Sequence, residues 1–390
     1  MTDDVSIIIG GRSLQGWQSV RITRGCERVP ASFELMATER YPDQIGEVAI
    51  AAGNPCQVKI GPDTVITGYV DRVMPSISPH GHSVRIQGRS KMEDIVDCSV
   101  TPDVITGMQI RTSNLLELAT RIAGFYGIPV KSLTGDNVPV SGGGTTAPYN
   151  SPLIFNVVLS ETGYEIIERV ARWAQVLVYD EPDGSMVLAR AGASTMASGF
   201  QQGVNIQEAS AAFSMDQRYS EYLPMLMSYK FFGSDTGSDA LTPVYDKSVP
   251  RKRQLVIISE QFDGNGFYAQ QRAKWEEARR IGRSQAVRIV CDSWRDSSGA
   301  LWQPNAFVPQ LNIPAIKVAP VDPWVISDVT FSRDLDRGTT AELTLMPKQA
   351  FVQEPIVLLP FLGYWPDGKR QGAGVPSPAA LVQSDLLGPQ

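Results

Sequence analysis

Residues 69–86 read YVDRVMPSISPHGHSVRI, and residues 324–345 read WVISDVTFSRDLDRGTTAELTL. Each stretch runs outward through an acidic step, Asp71-Arg72-Val73 in the first and Asp328-Val329 in the second. Each then passes a glycine-containing turn and returns with apolar residues at every other position. Strict alternation is what a strand with one face in a core requires, because successive side chains point to opposite faces. Setting Gly81 on Gly338 places Val84 and Ile86 on Ala341 and Leu343. The two hairpins are therefore expected to be one structural unit present twice.

The same texture continues outward from both stretches. Val20 and Ile22, a turn from Gly25 to Pro30, and then Phe33, Leu35 and Ala37 predict a hairpin ahead of the first stretch, with Val58, Ile60, Val65 and Ile66 leading into it. Downstream, Ala209, Ala211, Phe213 and Met215 alternate up to a turn at 216–220. Met225, Met227, Tyr229 and Phe231 are expected to return beside them, and Val308, Leu311 and Ile313 precede the second stretch.

Between the copies, Asn114-x-x-Glu117 and Thr162-x-x-Glu165 have the spacing of capping boxes, in which the N-cap and N3 side chains satisfy each other's free backbone donors. Leu115, Leu118 and Ile122, and then Ile166, Ile167 and Val170, follow at helical spacing. Glu181-Pro182-Asp183-Gly184 turns a short hairpin, and a further helix is expected over 266–283. The predicted fold class is α+β, predominantly β: two related β-barrel domains with an α+β insertion module and a helix-containing insertion. The expected boundaries are 1–98 for the first barrel, 99–200 for the module, 201–250 with 285–351 for the second barrel, and 251–284 for the helical insertion. Residues 352–390 hold six Pro and five Gly, which predicts an extended tail.

Composition removes several functions. At 390 residues with 43% hydrophobic and 19% charged side chains, the chain can bury more than one core. Thirty-five Lys and Arg against 41 Asp and Glu leave a net charge of −6, the wrong sign for a surface devoted to nucleic acid or anionic membrane. The basic residues concentrate in 251–283, which has eight Lys or Arg against four acids. The run at 356–362 is far shorter than the roughly 18 apolar residues a span needs, so no membrane anchoring is expected. The opening MTDD has no secretory pattern, and a cytoplasmic product is expected.

Cys26, Cys56, Cys98 and Cys291 are widely separated, and that suits small core side chains better than zinc ligands. His80 and His82 flank Gly81 at a predicted hairpin tip, a place for solvated side chains. No G-x-S-x-G elbow occurs, and Gly142-Gly143-Gly144 is not followed by the lysine of a phosphate loop. Glu260, Asp263, Glu276 and Glu277 read as solvated charges. No catalytic, metal-binding or cofactor residue is assigned, and no cofactor is expected. What remains is surface. Arg272, Arg279, Arg280 and Arg283, with Arg251-Lys252-Arg253 nearby, form a basic stretch; Glu276 and Glu277 interrupt it, so a protein-facing patch is expected rather than a phosphate site. Phe361, Tyr364 and Trp365 in the tail are candidate anchors into a partner.

A family resemblance runs through the second half: Ala269-Gln270-x-Arg272-Ala273-Lys274-Trp275-Glu276, Asp292-Ser293-Trp294-Arg295-Asp296, Gly299-x-Leu301-Trp302-x-Pro304-Asn305, and the Trp324–Leu345 hairpin. With Gly16-Trp17-x-x-Val20-x-Ile22-x-Arg24 and Ser32-Phe33-x-Leu35, the chain resembles the tail protein P family of Mu-like phages over about residues 5–350. That resemblance implies a structural baseplate hub, similar in architecture to the T4 hub and to the base of the type VI secretion spike. It implies a homotrimer that adapts a sixfold tail tube to a threefold central spike around a DNA exit channel, with the first barrel docking the tube.

The implied partners are the tube or distal tail protein, the spike, baseplate wedge proteins and the tape measure protein, with DNA passing only transiently. Assembly in the host cytoplasm and residence in the virion tail follow. The basic 251–284 insertion is expected to face outward and an acidic surface to line the channel. Two competing readings are a tail-associated cell-wall hydrolase using carboxylates and a glycan-binding protein for host adsorption.

Overall fold

The computed structural model describes residues 3–38, 50–79, 81–105, 108–136, 138, 140, 153–227, 238–240, 242–259, 267–318 and 324–352. The first seven strands are β1 (Val5–Ile9), β2 (Arg12–Leu14), β3 (Ser19–Gly25), β4 (Ser32–Thr38), β5 (Pro55–Ile60), β6 (Asp63–Ser78) and β7 (Gly81–Ser90). A central module follows, with α1 (Glu93–Asp97), β8 (Gln109–Thr112), α2 (Leu115–Phe125), β9 (Val130–Ser132), β10 (Leu153–Asn156), α3 (Gly163–Ala174), β11 (Leu177–Asp180) and β12 (Met186–Ala189). The chain re-enters the β body through β13 (Ser194–Thr195), β14 (Phe200–Gln201) and β15 (Glu208–Phe213). It then makes β16 (Glu221–Met227), β17 (Ser238–Ala240), β18 (Val244–Tyr245), β19 (Gln254–Ser259) and α4 (Phe267–Arg283). It closes with β20 (Gln285–Cys291), β21 (Ala306–Val308), β22 (Leu311–Asn312), β23 (Trp324–Asp334) and β24 (Gly338–Pro347).

Both quoted stretches form the hairpins that their alternation predicts, and they share one irregularity. From the turn inward, β6 and β7 pair without interruption from Ser78↔Gly81 to Arg72↔Gln87, after which Asp71 is skipped. From its own turn, β23 and β24 pair from Asp334↔Gly338 to Asp328↔Thr344, after which Ser327 is skipped. The bulge thus follows the seventh pair in both. A bulge bends a strand and raises its local twist, so the two hairpins curve at the same place. The neighbouring strands repeat as well. β4 lies beside β7 and β3 beside β4 in the first half; β20 lies beside β24 and β15 beside β20 in the second.

These two four-stranded units are joined edge to edge. Strand β3 pairs with β23 from Gly25↔Asp328 to Val20↔Arg333, giving one path β15-β20-β24-β23-β3-β4-β7-β6 through the chain. Beneath one face runs a single apolar core containing Val20, Ile22, Leu35 and Ile86 from the first half and Val287, Ile289, Phe331 and Leu343 from the second. Trp294 and Trp302 sit fully inside it, their indole N–H groups donating to the carbonyls of Thr340 (2.8 Å) and Ser293 (2.9 Å). That pairing is what lets an indole be buried without loss. Arg295 crosses between the halves, binding Asp3 (2.7 Å) and Asp63 (2.6 Å).

The module has its own core, with Ile95, Leu118, Ile122, Ile166 and Val170 fully or nearly fully buried. Thr162 and Glu165 make the predicted capping box. Asn114 instead caps Leu116 N–H and reaches across to Val138 N–H, tying α2 to the following segment. Every residue of β11 and β12 is buried, because one face meets the module and the other meets Val325, Ala350 and Phe351 of the β body. That two-sided burial explains their unbroken apolar run.

One sequence expectation is overturned. Strand β15 does not form a hairpin with the strand that follows; it pairs with β20, from Glu208↔Val290 to Phe213↔Gln285. β16 joins β17, β18 and the parallel β19 in a separate four-stranded sheet, so β16–β18, expected in the second barrel, lie off the main path and pair with a strand of the expected 251–284 insertion. Alternation reports which face of a strand is buried and carries no information on which strand lies next to it. Tyr229 and Phe231, the rest of the expected return strand, lie outside the described residues.

Candidate assembly surface

The joint between β3 and β23 is the best-built contact between the two units. On its core face Ile22 lies buried opposite Phe331, with the buried Val20 opposite Arg333 and the buried Val329 opposite Arg24. On the opposite face the hydroxyls of Thr23 and Thr330 lie 3.1 Å apart and hydrogen-bond. Gly25 is required here: a Cβ on it would fall 2.2 Å from Asp328 Oδ1. The Asp328 carboxylate is held by the Ser327 hydroxyl at 2.6 Å, so it has little freedom to retreat.

The two outer edges of this path are open among the described residues. Strand β15 pairs only with β20. The N-terminal half of β6 pairs with β5 as far as Tyr69, while residues 72–78 have a partner only on the β7 side. Large apolar side chains stand exposed along these edges: Ile77 is 86% exposed on β6 and Phe213 54% on β15. Open backbone edges with apolar side chains are the places where sheets recruit another chain.

The face of the sheet turned away from the core carries balanced charge. Reading positions by register, Arg21, Arg72, Arg85, Arg89 and Arg288 stand against Glu34, Glu208, Asp328, Asp334 and Glu342. Several are paired in place, Arg85 with Glu34 at 3.3 Å and Arg288 with Glu342 at 2.7 Å. The chain's acidity is therefore not concentrated on this face. The nearest approach to a charged cluster is at the first bulge. Arg89 faces Asp71 (2.7 Å), Asp97 (2.8 Å) and Glu93 (3.2 Å). With three acids around one guanidinium, burial first and then Asp71 push the Glu93 carboxyl up to about 8.

The basic candidates are engaged inside the chain. Arg279 and Arg283 converge on Glu27 in the loop after β3, and Arg279 also donates to the Val352 carbonyl (3.0 Å). Together with Glu168 and Arg172 of α3 they line a cleft between the module and α4. Arg280 binds Glu276 (2.8 Å) and the Gln217 carbonyl (3.0 Å) and stacks over Tyr219. Arg272 is half-buried on the same helix. These guanidinium groups fasten α4 to its surroundings. The one signal of that in the sequence is the i,i+4 pair Glu276–Arg280; Glu27, some 250 residues upstream, gave none.

The candidate anchors Phe361, Tyr364 and Trp365 lie outside the described residues. So do Glu260 and Asp263, and likewise His80, while His82 pairs with Ile77 on the hairpin. Cys26, Cys56 and Cys291 are buried and Cys98 is exposed. Among the described residues no cluster of three or more His, Cys, Asp or Glu is arranged to hold a metal ion. In the module, Glu161 binds Arg169 (3.0 Å), Glu168 binds Arg172 (2.5 Å) and Asp183 binds Lys131 (2.5 Å), so these carboxylates serve as structural partners.

Three stretches of the chain match known families. Family profiles match in order: Mu phage baseplate assembly protein GpP-like, N-terminal, over residues 4–90; baseplate hub protein gp44-like, second domain, over 92–190; and Mu phage baseplate assembly protein GpP, fourth domain, over 266–354. The baseplate hub protein gp44 of Escherichia phage Mu is 28% identical over 359 residues, covering 90% of each chain. The crystal structure of the 43 kDa tail protein of prophage MuSo2 from Shewanella oneidensis superposes with a TM-score of 0.73 at 26% identity, over 90% of this chain and 99% of that one. An E. coli type VI secretion component, described as structurally similar to the T4 tail proteins gp27 and gp5, shares the fold alone: TM-score 0.50 at 8% identity, over 90% of this chain and 80% of that one.

Proposed function

The chain belongs to the Mu-like family of phage baseplate hub proteins, a structural component of the virion tail, and on that premise we propose that three copies close into a ring that adapts a sixfold tail tube to a threefold spike. The observation that carries this is the duplication. Two units with the same strand order and the same bulge, joined edge to edge in one chain, are two of six equivalent positions when three chains meet. Eight strands from each chain then make a closed cylinder of twenty-four. At about 4.8 Å between strands and a tilt near 40°, that cylinder is roughly 48 Å across between backbones, wide enough for DNA after side chains are allowed for.

In this arrangement the apolar core faces outward under the other strands and helices, and the charge-balanced face lines the channel. A lining in which Arg85, Arg89 and Arg288 already pair with acids offers passing phosphates fewer unpaired cations, so DNA can move through without being held. The hairpin tips of β6–β7 and β23–β24 make six similar projections for the tube, while the single-copy features of each chain serve the spike. The tail tube or distal tail protein, the spike, the wedge proteins and the tape measure protein are the partners of this reading, and assembly takes place in the host cytoplasm before the hub is built into the virion. The role is assembly geometry, without turnover.

Sedimentation of the full chain, alone and with its spike protein, tests the stoichiometry. A particle of three times 42.6 kDa is expected; a stable dimer or hexamer in both conditions would overturn the ring.

A further inference from the structure

The joint inside the chain specifies the joint between chains. We propose that residues 72–77 of β6 pair antiparallel with residues 209–213 of β15 and the following Ser214 from a second copy of this chain, in the register that β23 uses to bind β3. This inference rests on the trimeric reading above and adds to it a surface, a partner strand and a residue-by-residue alignment.

The alignment follows from the duplication. Counted from the bulge, Arg72 to Ile77 occupy the positions of Asp328 to Arg333. Counted through their partners on the next strand, Ala209 and Ala211 occupy the positions of Val20 and Ile22: Val20 and Ile22 lie opposite Leu35 and Phe33, and Ala209 and Ala211 opposite Ile289 and Val287. Because Phe331 lies opposite Ile22 and Arg333 opposite Val20, Pro75 falls opposite Ala211 of the second copy and Ile77 opposite Ala209.

Three independent features suit that pairing. The backbone edge is open on both segments among the described residues. The half of β6 that is open begins where β5 leaves off, just as β23 changes partner from β21 to β3 at its own bulge. The exposed apolar residues Ile77 and Phe213 take the positions of Arg333 and Arg24, on the same side as Phe331 and Ile22; in the internal joint Arg24 is buried and Arg333 half-buried. Packing of a like kind would cover them. Across the other face, Met74 and Ser76 meet Ala212 and Ser210, so no like charges oppose. Pro75 lacks an N–H, which removes at most one ladder bond and makes this edge a poor template for unrelated strands.

Cysteine pairs read the register directly. Residues directly opposite have Cβ atoms about 4.5–5.5 Å apart, close to disulfide geometry, whereas a four-residue slip is about 13 Å. In a full-length Cys98→Ser background, which removes the exposed native thiol, we would compare Ile77→Cys with Ala209→Cys, Ser76→Cys with Ser210→Cys, and the slipped control Ile77→Cys with Phe213→Cys. Under mild oxidation the first two should give dimer and trimer bands on non-reducing gels, at least tenfold more than the control. A trimer by sedimentation that cross-links no better in the matched pairs than in the control overturns the seam and leaves the ring standing. A chain that is monomeric both alone and with its spike overturns both.

Discussion

Replacing Phe331 by alanine tests whether the two β units share one core. The side chain is fully buried, lies opposite Ile22 across the internal joint and opposite Ala341 within its hairpin, and meets the Trp294 ring edge-on at 6.0 Å. Truncating a buried Phe costs about 3–5 kcal/mol in lost transfer energy and cavity formation, and the aromatic pair accounts for about 1 kcal/mol of that order again. Taking about 4 kcal/mol, and about 2–4 °C per kcal/mol for a body of this size, the β transition should fall by about 8–16 °C. The module has a separate core and serves as the internal reference. Differential scanning calorimetry of the full chain should show the β transition moving as one unit while the module transition stays within about 2 °C. A shift below about 3 °C, or a β transition that splits with strands β3–β7 unmoved, would refute a common core.

Further outcomes follow from single contacts. Asp246 and Arg218 form a buried pair at 2.6 Å, so Asp246→Asn should destabilise the β16–β19 sheet by about 3–5 kcal/mol, because it leaves a buried guanidinium uncompensated; faster amide exchange at Tyr222 and Ile257, with the main sheet unchanged, is the expected readout. The Glu93 carboxyl is raised from 4.5 to about 8, so the native state holds a proton that the unfolded chain gives up. That stabilisation is complete below about pH 4.5 and is lost as pH rises toward 8. Thermal melts of Glu93→Gln should therefore decline less between pH 5 and 8.5 than those of the parent, and an equal slope would remove Glu93 from the account. Asn305 is buried at φ 60°, accepts from Gly192 N–H (2.7 Å), and donates to the Arg190 carbonyl (3.0 Å) and the Tyr179 hydroxyl (3.2 Å). Asn305→Ala should cost about 3 kcal/mol in chemical denaturation, from unsatisfied buried partners and left-handed backbone strain together; Asn305→Gly relieves the strain and should cost less.

Local structure was legible in the chain's spacing, and long-range partnership was not. The alternation at Val84–Ile86 and Ala341–Leu345, the Thr162 capping box and the helix ending at Arg283 all appear where their residues indicate, because each is decided within a few positions. The Gly81-on-Gly338 alignment even carried the strand register, since both return strands begin at that glycine. The partner of β15 was lost because its true neighbour begins over seventy residues later, beyond an inserted sheet and helix. The arginines of α4 were misplaced for a similar reason. A cation at helical spacing looks the same whether solvent or Glu27 answers it.

The seam at Gly25 and Asp328 has a mechanical consequence. Its counterpart at an intermolecular contact would bring Ser214 against Arg72, without the glycine and without the covalent tether. A hoop made this way alternates two kinds of weld, one riveted by its own polypeptide and one clasped. Under torsion during infection it should part at three places rather than six, shedding whole links and never half of one.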